Sequence, residues 1–361
     1  MSRRRLEEAL LKSRELESCG ESCGESADET SGGDGGEGYS ELFVRRRVRL
    51  REDPHGIYSL RFSPDGRRIA AGFGNGAVEV LSAGDGSPDG TLFSAQRGRQ
   101  AVTALRFHPK SPDLLVAAGA DGLLSIYDIK SKINVITLTE IQNEINALDF
   151  CADGSVFATA GRDRNIRLYD GHTNEIVSVL KAPALLYGDD AALPSGHSRR
   201  IFALRFHPSE PHVFVTGGWD NSVKVWDNRV AKEARRDIRG PHICGSGIDI
   251  QGNKLLTASW VARDALQLWD LRAAQLVQNV PFPAAALQGQ FLYAAAFCSE
   301  NVVLAGGSGT CAASAIDLRT EQVLGDISLS SRAVQAVDAA PGGREVAAAG
   351  VAGNLHIAEL C

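Results

Sequence analysis

One phrase recurs along the chain. It reads Ala-Leu-Arg-Phe-His-Pro at 104–109 and at 203–208, Ser-Leu-Arg-Phe-Ser-Pro at 59–64, and Ala-Leu-Asp-Phe at 147–150. Each time a second apolar run follows, ending in small residues: Arg68 to Gly72, Leu115 to Gly119, Val156 to Gly161, Val213 to Gly218. Three of the copies continue through a turn Asp (Asp121, Asp163 or Asp220) into a third run, Leu124 to Asp128, Ile166 to Asp170 or Val223 to Asp227. Weaker copies centre on Leu255 to Asp270, Val302 to Asp317 and Val334 to Leu360. Runs of this length, punctuated by Gly, Asp and Pro, read as short β-strands joined by tight turns. The length of 361 residues alone would suggest two domains. The repeats assign most of it to one all-β array.

These units resemble the WD-repeat family over residues 41–361. Seven copies in roughly 320 residues give about 46 each, close to the spacing of that repeat. The resemblance implies a seven-bladed β-propeller with four-stranded blades around a central channel. It also implies closure by an N-terminal strand. The run Glu41 to Leu50 fits the outer strand of the last blade, because the chain stops at Cys361 after only three strands of copy seven.

The family's buried tetrad maps onto copy four as His197, Thr216, Asp220 and Trp226. Such buried polar groups are tolerable when each satisfies the next. Other copies are incomplete. Tyr127 and Tyr169 replace Trp, Asn75 replaces the turn Asp, and copies six and seven lack Trp. The repeat pattern is therefore weakest at the C-terminal end.

Residues 1–40 differ in composition. A short charged helix is expected within 1–18. The stretch 19–40 carries six acids and no Lys or Arg among Ser and Gly, and is read as disordered. The formal net charge of −6 is owed largely to this tail, which leaves the propeller near neutral. No basic face runs across the repeats, so nucleic acid is not the expected partner. Arg45 to Arg51 reads either as edge-strand charge or as a nucleic-acid or import signal. No apolar run reaches the ~18 residues needed to cross a membrane. Seven Cys, an odd number, are read as reduced thiols of a cytoplasmic or nuclear protein. Cys19 and Cys23 lack further ligands nearby for zinc.

Catalytic patterns are missing: no phosphate loop, no His-Glu-x-x-His, no nucleophile elbow. His108 and His207 precede Pro at turns and are read as turn residues, not metal ligands. The chain is therefore expected to be no enzyme, to hold no cofactor or metal, and to be monomeric on its own. Function is expected on the rim loops, as a scaffold for proteins or peptides. In the family, residues beside the turn Asp and at the start of the first strand line the channel mouth. Mapped here they are Tyr58, Glu144, Asn146, Arg162, Arg200, Phe202, Trp219, Trp260, Arg263 and Tyr293. Trp219 and Trp260 read either as binding anchors or as local packing. The stretch Ala182 to Pro194 reads as a linear contact or a tolerated insertion. On the opposite rim, Trp226-Asp227-Asn228-Arg229 and Trp269-Asp270-Leu271-Arg272 resemble the Trp-Asp-x-Arg motifs of cullin-4 ligase substrate receptors. That resemblance would make Arg229 and Arg272 adaptor contacts. A solvated or locally paired Arg is the alternative.

Overall fold

A computed structural model describes residues 39–361, apart from 53–54, 94–98, 183–195, 231–233, 284–288, 330–331 and 352–354. The expectations for the tail and for most of the 182–194 stretch fall outside the described residues. Among those described, every regular element is a strand, and the strands form seven four-stranded antiparallel sheets. Blade 1 is Ile57–Phe62, Arg68–Phe73, Val78–Ser82 and Pro88–Phe93. Blade 2 is Val102–His108, Ser111–Gly119, Leu123–Asp128 and Ile133–Thr139. Blade 3 is Ile145–Phe150, Val156–Gly161, Ile166–Asp170 and Ile176–Leu180. Blade 4 is Ile201–Phe206, Val213–Gly218, Ser222–Asp227 and Arg236–Arg239. Blade 5 is Ile248–Gln251, Lys254–Ala258, Leu266–Asp270 and Gln275–Asn279. Blade 6 is Leu292–Phe297, Val302–Gly307, Ala312–Asp317 and Val323–Ser328. Blade 7 is Val334–Ala339, Glu345–Gly350, Leu355–Leu360 and, from the other end of the chain, Leu42–Val48. Strands are lettered a to d outward from the channel.

Burial follows from how the sheets stack. Strand b of blade 4, Val213–Gly218, is buried at every residue, because both of its faces meet a neighbouring blade. Strand d of blade 2, Ile133–Thr139, is mostly exposed. Strand a of each blade lies against strand a of the next, and blade 7 lies against blade 1. Apolar clusters fill these junctions. One joins Leu60, Ile69 and Phe73 of blade 1 to Ala347, Leu355 and Ile357 of blade 7. Copies six and seven, weak in sequence, form complete blades. Ile316 and Ala358 stand opposite Val303 and Val346 in the register that pairs Trp226 with Phe214.

The ring closes as the sequence implied. Leu42–Val48 pairs antiparallel with Leu355–Leu360, from Leu42 opposite Leu360 to Val48 opposite Leu355. Arg47 donates to Nε2 of the buried His356 at 3.2 Å across this joint. Burial, and then the nearby Arg47 guanidinium, hold the His356 imidazole below its ordinary range. The folded chain therefore binds fewer protons at this site than the unfolded chain. Its contribution is complete at high pH and is lost as pH falls through the unfolded value of ~6.5. Urea midpoints should drop between pH 7.5 and 5.5, and the drop should be smaller in His356→Gln. Burial lowers His108 and His242 in the same direction, so some pH dependence should remain. Equal slopes in both proteins would refute the assignment to His356.

Candidate functional site

The first strand of six blades carries a bulge at its second residue. Register shifts fall between Ile57 and Ser59, Val102 and Ala104, Ile145 and Ala147, Ile201 and Ala203, Leu292 and Ala294, and Val334 and Ala336. The extra residues are Tyr58, Thr103, Asn146, Phe202, Tyr293 and Gln335, all half-buried. A bulge bends the strand and re-aims its side chain. Four of these six were expected site residues: Tyr58, Asn146, Phe202 and Tyr293.

A second constraint brings the b–c turn to the same place. Strand b ends in Gly161, Gly218, Gly307 or Gly350. A Cβ there would collide with the carbonyl of Glu144, Arg200, Phe291 or Ala333, just before strand a. Only glycine permits that approach. The next residue donates its N–H to the same carbonyl: Arg162 to Glu144 at 3.0 Å, Trp219 to Arg200 at 3.1 Å, Ser308 to Phe291 at 3.0 Å. The pairs Glu144/Arg162 and Arg200/Trp219 are thus fixed side by side by backbone geometry.

Their side chains form one strip across blades 3 to 5. Glu144 accepts from both Arg162, at 2.8 Å, and Arg200. The Arg200 guanidinium lies over the Trp219 ring, 5.8 Å from its centroid. Phe202 stacks on Trp219 at 5.1 Å. The Trp219 indole N–H donates to Cys244 Sγ at 3.0 Å, and burial pushes that thiol up to about 12. In blade 5, Trp260 packs on Phe291 at 5.1 Å. Burial raises the Tyr293 phenol, with Ser308 and Trp260 close enough to oppose the shift in part. Both rim tryptophans therefore have packing partners, yet remain half-exposed. Arg263 is exposed beside Trp260. Asn146 instead ties blades together, donating to the Ile201 carbonyl at 3.1 Å. Tyr58 belongs to blade 1, covering Gly74 of its own turn; it stands apart from the strip.

The tetrad of blade 4 is complete. His197 Nδ1 meets Asp220 at 2.9 Å and Nε2 meets Thr216 Oγ1 at 2.7 Å, while the Trp226 indole donates to Thr216 Oγ1 at 2.7 Å. In blade 5, Trp269 donates to Thr257 at 3.0 Å. Blade 3 contains a substitute that the sequence reading missed. Glu140 occupies the His position, accepting from Thr159, from Tyr169 at 3.0 Å, and from Arg167 at 2.9 Å. Arg167 also binds Asp163 at 2.5 Å, so one guanidinium bridges the two acids. The signal was spacing. Glu140 precedes Asp163 by the same interval as His197 precedes Asp220, with Thr159 and Tyr169 in register.

The channel holds a second group missed in sequence. The fifth residue of strand a is Arg61, Arg106, Asp149, Arg205, Ala296 and Asp338 in blades 1, 2, 3, 4, 6 and 7, with Asp249 in blade 5. Arg61 binds Asp338 at 2.8 Å, Arg106 binds Asp149 at 2.6 Å, and Arg205 binds Asp249 at 2.7 Å. Arg61, Arg106, Arg205, Asp149 and Asp338 line a cavity of about 220 Å³. Their charges neutralise one another, so this ring reads as a fastener between blades. Its sequence signal was the Arg/Asp exchange inside the recurring phrase.

On the opposite rim the two arginines of the Trp-Asp-x-Arg motifs differ in their settings. Arg229 forms a two-point contact with its own Asp227, at 2.9 and 2.8 Å, and holds that carboxyl down at about 2. Arg272 is free-standing by comparison, 78% exposed with a loose contact to Glu210 at 3.6 Å. The two motifs do not present matching arginines. His207 serves its turn: Nδ1 accepts from the Ser209 and Glu210 N–H groups, and Nε2 meets the Gly252 carbonyl at 3.0 Å. Among the described residues no three His, Cys, Asp or Glu are placed to share a metal. No helix among them is long and apolar enough to cross a membrane.

Comparison with known proteins agrees with this architecture. Residues 48–92, 86–128, 134–170 and 191–227 match the family model of the WD domain, G-beta repeat. The chain is 29% identical over 217 residues to the ribosome biogenesis protein WDR12 homolog of Drosophila sechellia, covering 57% of this chain and 46% of that protein. The Drosophila virilis homolog is 26% identical over 224 residues, with the same coverages. The Arabidopsis thaliana protein "Cell division cycle 20.1, cofactor of APC complex" is 22% identical over 225 residues, covering 62% of this chain and 46% of that protein. The match thus spans about half the length of these relatives.

Proposed function

Because this chain is a seven-bladed WD40-repeat propeller, we propose that it works as a non-enzymatic scaffold holding protein or peptide partners on the rim of blades 3 to 5. The supporting observation is the strip Glu144, Arg162, Arg200, Phe202, Trp219 and Trp260. Bulges and glycine-tight turns of blades 3 and 4 hold the first five of these at a surface, and Trp260 is braced by Phe291. Trp, Tyr and Arg are the residue types that dominate binding energy at interfaces. Rigidity keeps the ordering cost of association low.

The names of the similar proteins direct the search for partners to ribosome assembly. A nuclear place of work follows from that reading, in preference to the cytoplasm. Cullin-4 docking gains nothing from the comparisons, and Arg229 is engaged by Asp227.

The test is affinity purification from nuclear extracts with the full chain and with the double variant Trp219→Ala, Arg200→Ala. The variant should lose at least ~90% of captured partner while its melting curve stays cooperative, as truncation of central anchors costs ~2 kcal/mol or more. Undiminished capture by the folded variant would place the partner surface elsewhere.

A further inference from the structure

Resting on the rim reading above, we propose that the strip over blades 3 to 5 takes an acidic peptide segment anchored by one aromatic or large aliphatic side chain.

Charge carries the first half of the argument. Among the described residues five arginines belong to the loops and turns of this sector, Arg162, Arg164, Arg199, Arg200 and Arg263. Among the described residues two carboxylates accompany them, those of Glu144 and Asp264. The other three acids described in these loops and turns are engaged elsewhere: Glu140 and Asp163 bind Arg167, and Asp220 is held by His197 and Ser222. Glu144 is shared by Arg162 and Arg200, so Arg162 does not have that carboxylate to itself. Arg162 is 55% exposed and can offer its remaining N–H groups outward. A partner carboxylate would complete the Arg162 fork with charge-assisted hydrogen bonds.

Shape carries the second half. Between the arginines lie the half-buried rings of Phe202, Trp219 and Trp260. Ile141, in the loop that also holds Glu144, is 81% exposed, the largest exposure among the apolar side chains described. An apolar anchor laid between Ile141 and these rings would bury surface on both. The arrangement does not suit a nucleic-acid strand, which needs open ring faces for base stacking. Phe202 and the Arg200 guanidinium already lie over Trp219, and Trp260 is packed on Phe291.

The experiment is fluorescence polarisation with the full chain and three labelled probes. The first is a twelve-residue peptide of Asp and Glu around a central Leu-Phe. The second is its counterpart with Lys in place of every acid. The third is single-stranded oligo(dT) of twelve nucleotides. The acidic peptide should bind at least tenfold more tightly than the Lys peptide, and weaken at least fivefold between 50 and 300 mM salt, roughly as exposed ion pairs are screened. Arg162→Glu with Arg263→Glu should reverse the preference, a gain that misfolding cannot mimic. Equal binding of both peptides, an unchanged preference in the charge-reversed protein, or selective binding of oligo(dT) would each overturn the proposal. If capture of nuclear partners still depends on Trp219 while charge reversal has no effect, the rim reading stands and this one fails. If Trp219→Ala with Arg200→Ala loses nothing, the rim reading itself fails.

Discussion

His197→Ala should cost about 3–4 kcal/mol of stability, an unsatisfied buried group plus a cavity. His197 is fully buried. The direction of each bond in its network is fixed by chemistry. The Trp226 indole can only donate, so Thr216 Oγ1 accepts from it at 2.7 Å. The Thr216 hydroxyl proton is then available for His197 Nε2 at 2.7 Å. That leaves the imidazole proton on Nδ1, donating to Asp220 at 2.9 Å. Asp220 also accepts from the Ser198 N–H and the Ser222 hydroxyl, both at 2.9 Å. The network lowers the Asp220 carboxyl, because His197 and its other donors outweigh burial. Without the ring, the Thr216 hydroxyl keeps its donor and loses its acceptor in a site closed to water. Urea unfolding followed by circular dichroism should show the loss, against a total of ~5–15 kcal/mol for a typical domain. A change below ~1 kcal/mol would mean that the tetrad relaxes without cost. Glu140→Gln in blade 3 makes a useful comparison, since it leaves Arg167 facing Asp163 alone.

The same network shows how much was legible in the sequence. His197, Thr216, Asp220 and Trp226 could be named because each matches a residue type that the repeat demands. Glu140 could not, because the pattern asks for His there. Besides Thr159 and Tyr169 it is held by Arg167, a strand residue with no place in the pattern. Outlines of blades survive such substitutions because strand length and turn chemistry are local properties. Partnerships across blades are not local, which is why the Arg/Asp ring escaped notice. Arg61 and Asp338 lie at opposite ends of the repeat array and meet only when the ring closes. The rim was legible in half. In blades 3 and 4 the bulge and the glycine bring Glu144, Arg162, Arg200, Phe202 and Trp219 together, because they fix the backbone whatever side chain follows. The split between binding and bracing was not visible. Asn146 braces Ile201, and Arg229 folds back on Asp227.

Closure of the ring leads to the other large expected effect, about 3–5 kcal/mol lost in Asp338→Ala. Blades 7 and 1 are fastened at two radii. Outside, Leu42–Val48 completes the sheet of blade 7. Inside, Asp338 accepts from Arg61 Nη1 at 2.8 Å and from the Phe62 N–H at 2.7 Å. Both side chains are nearly closed to solvent, at 11% and 15% exposure. Burial raises the Asp338 carboxyl, opposed first by the Arg61 charge. Removing the carboxylate strands a buried guanidinium that keeps a long hydrogen bond, 3.5 Å to the Val337 carbonyl, and the more distant charge of Asp149. It also orphans a buried backbone donor. Most of the cost comes from the charge left behind, not from the attraction lost. The double variant Arg61→Leu, Asp338→Leu should therefore be more stable than Asp338→Ala alone, although it removes more of the native contact. Chemical denaturation of the single and double variants, with Arg272→Ala as an exposed control, decides the matter. A double variant that loses as much as the sum of its two single changes would mean that Arg61 and Asp338 act independently, and that the outer strand alone holds the ring shut.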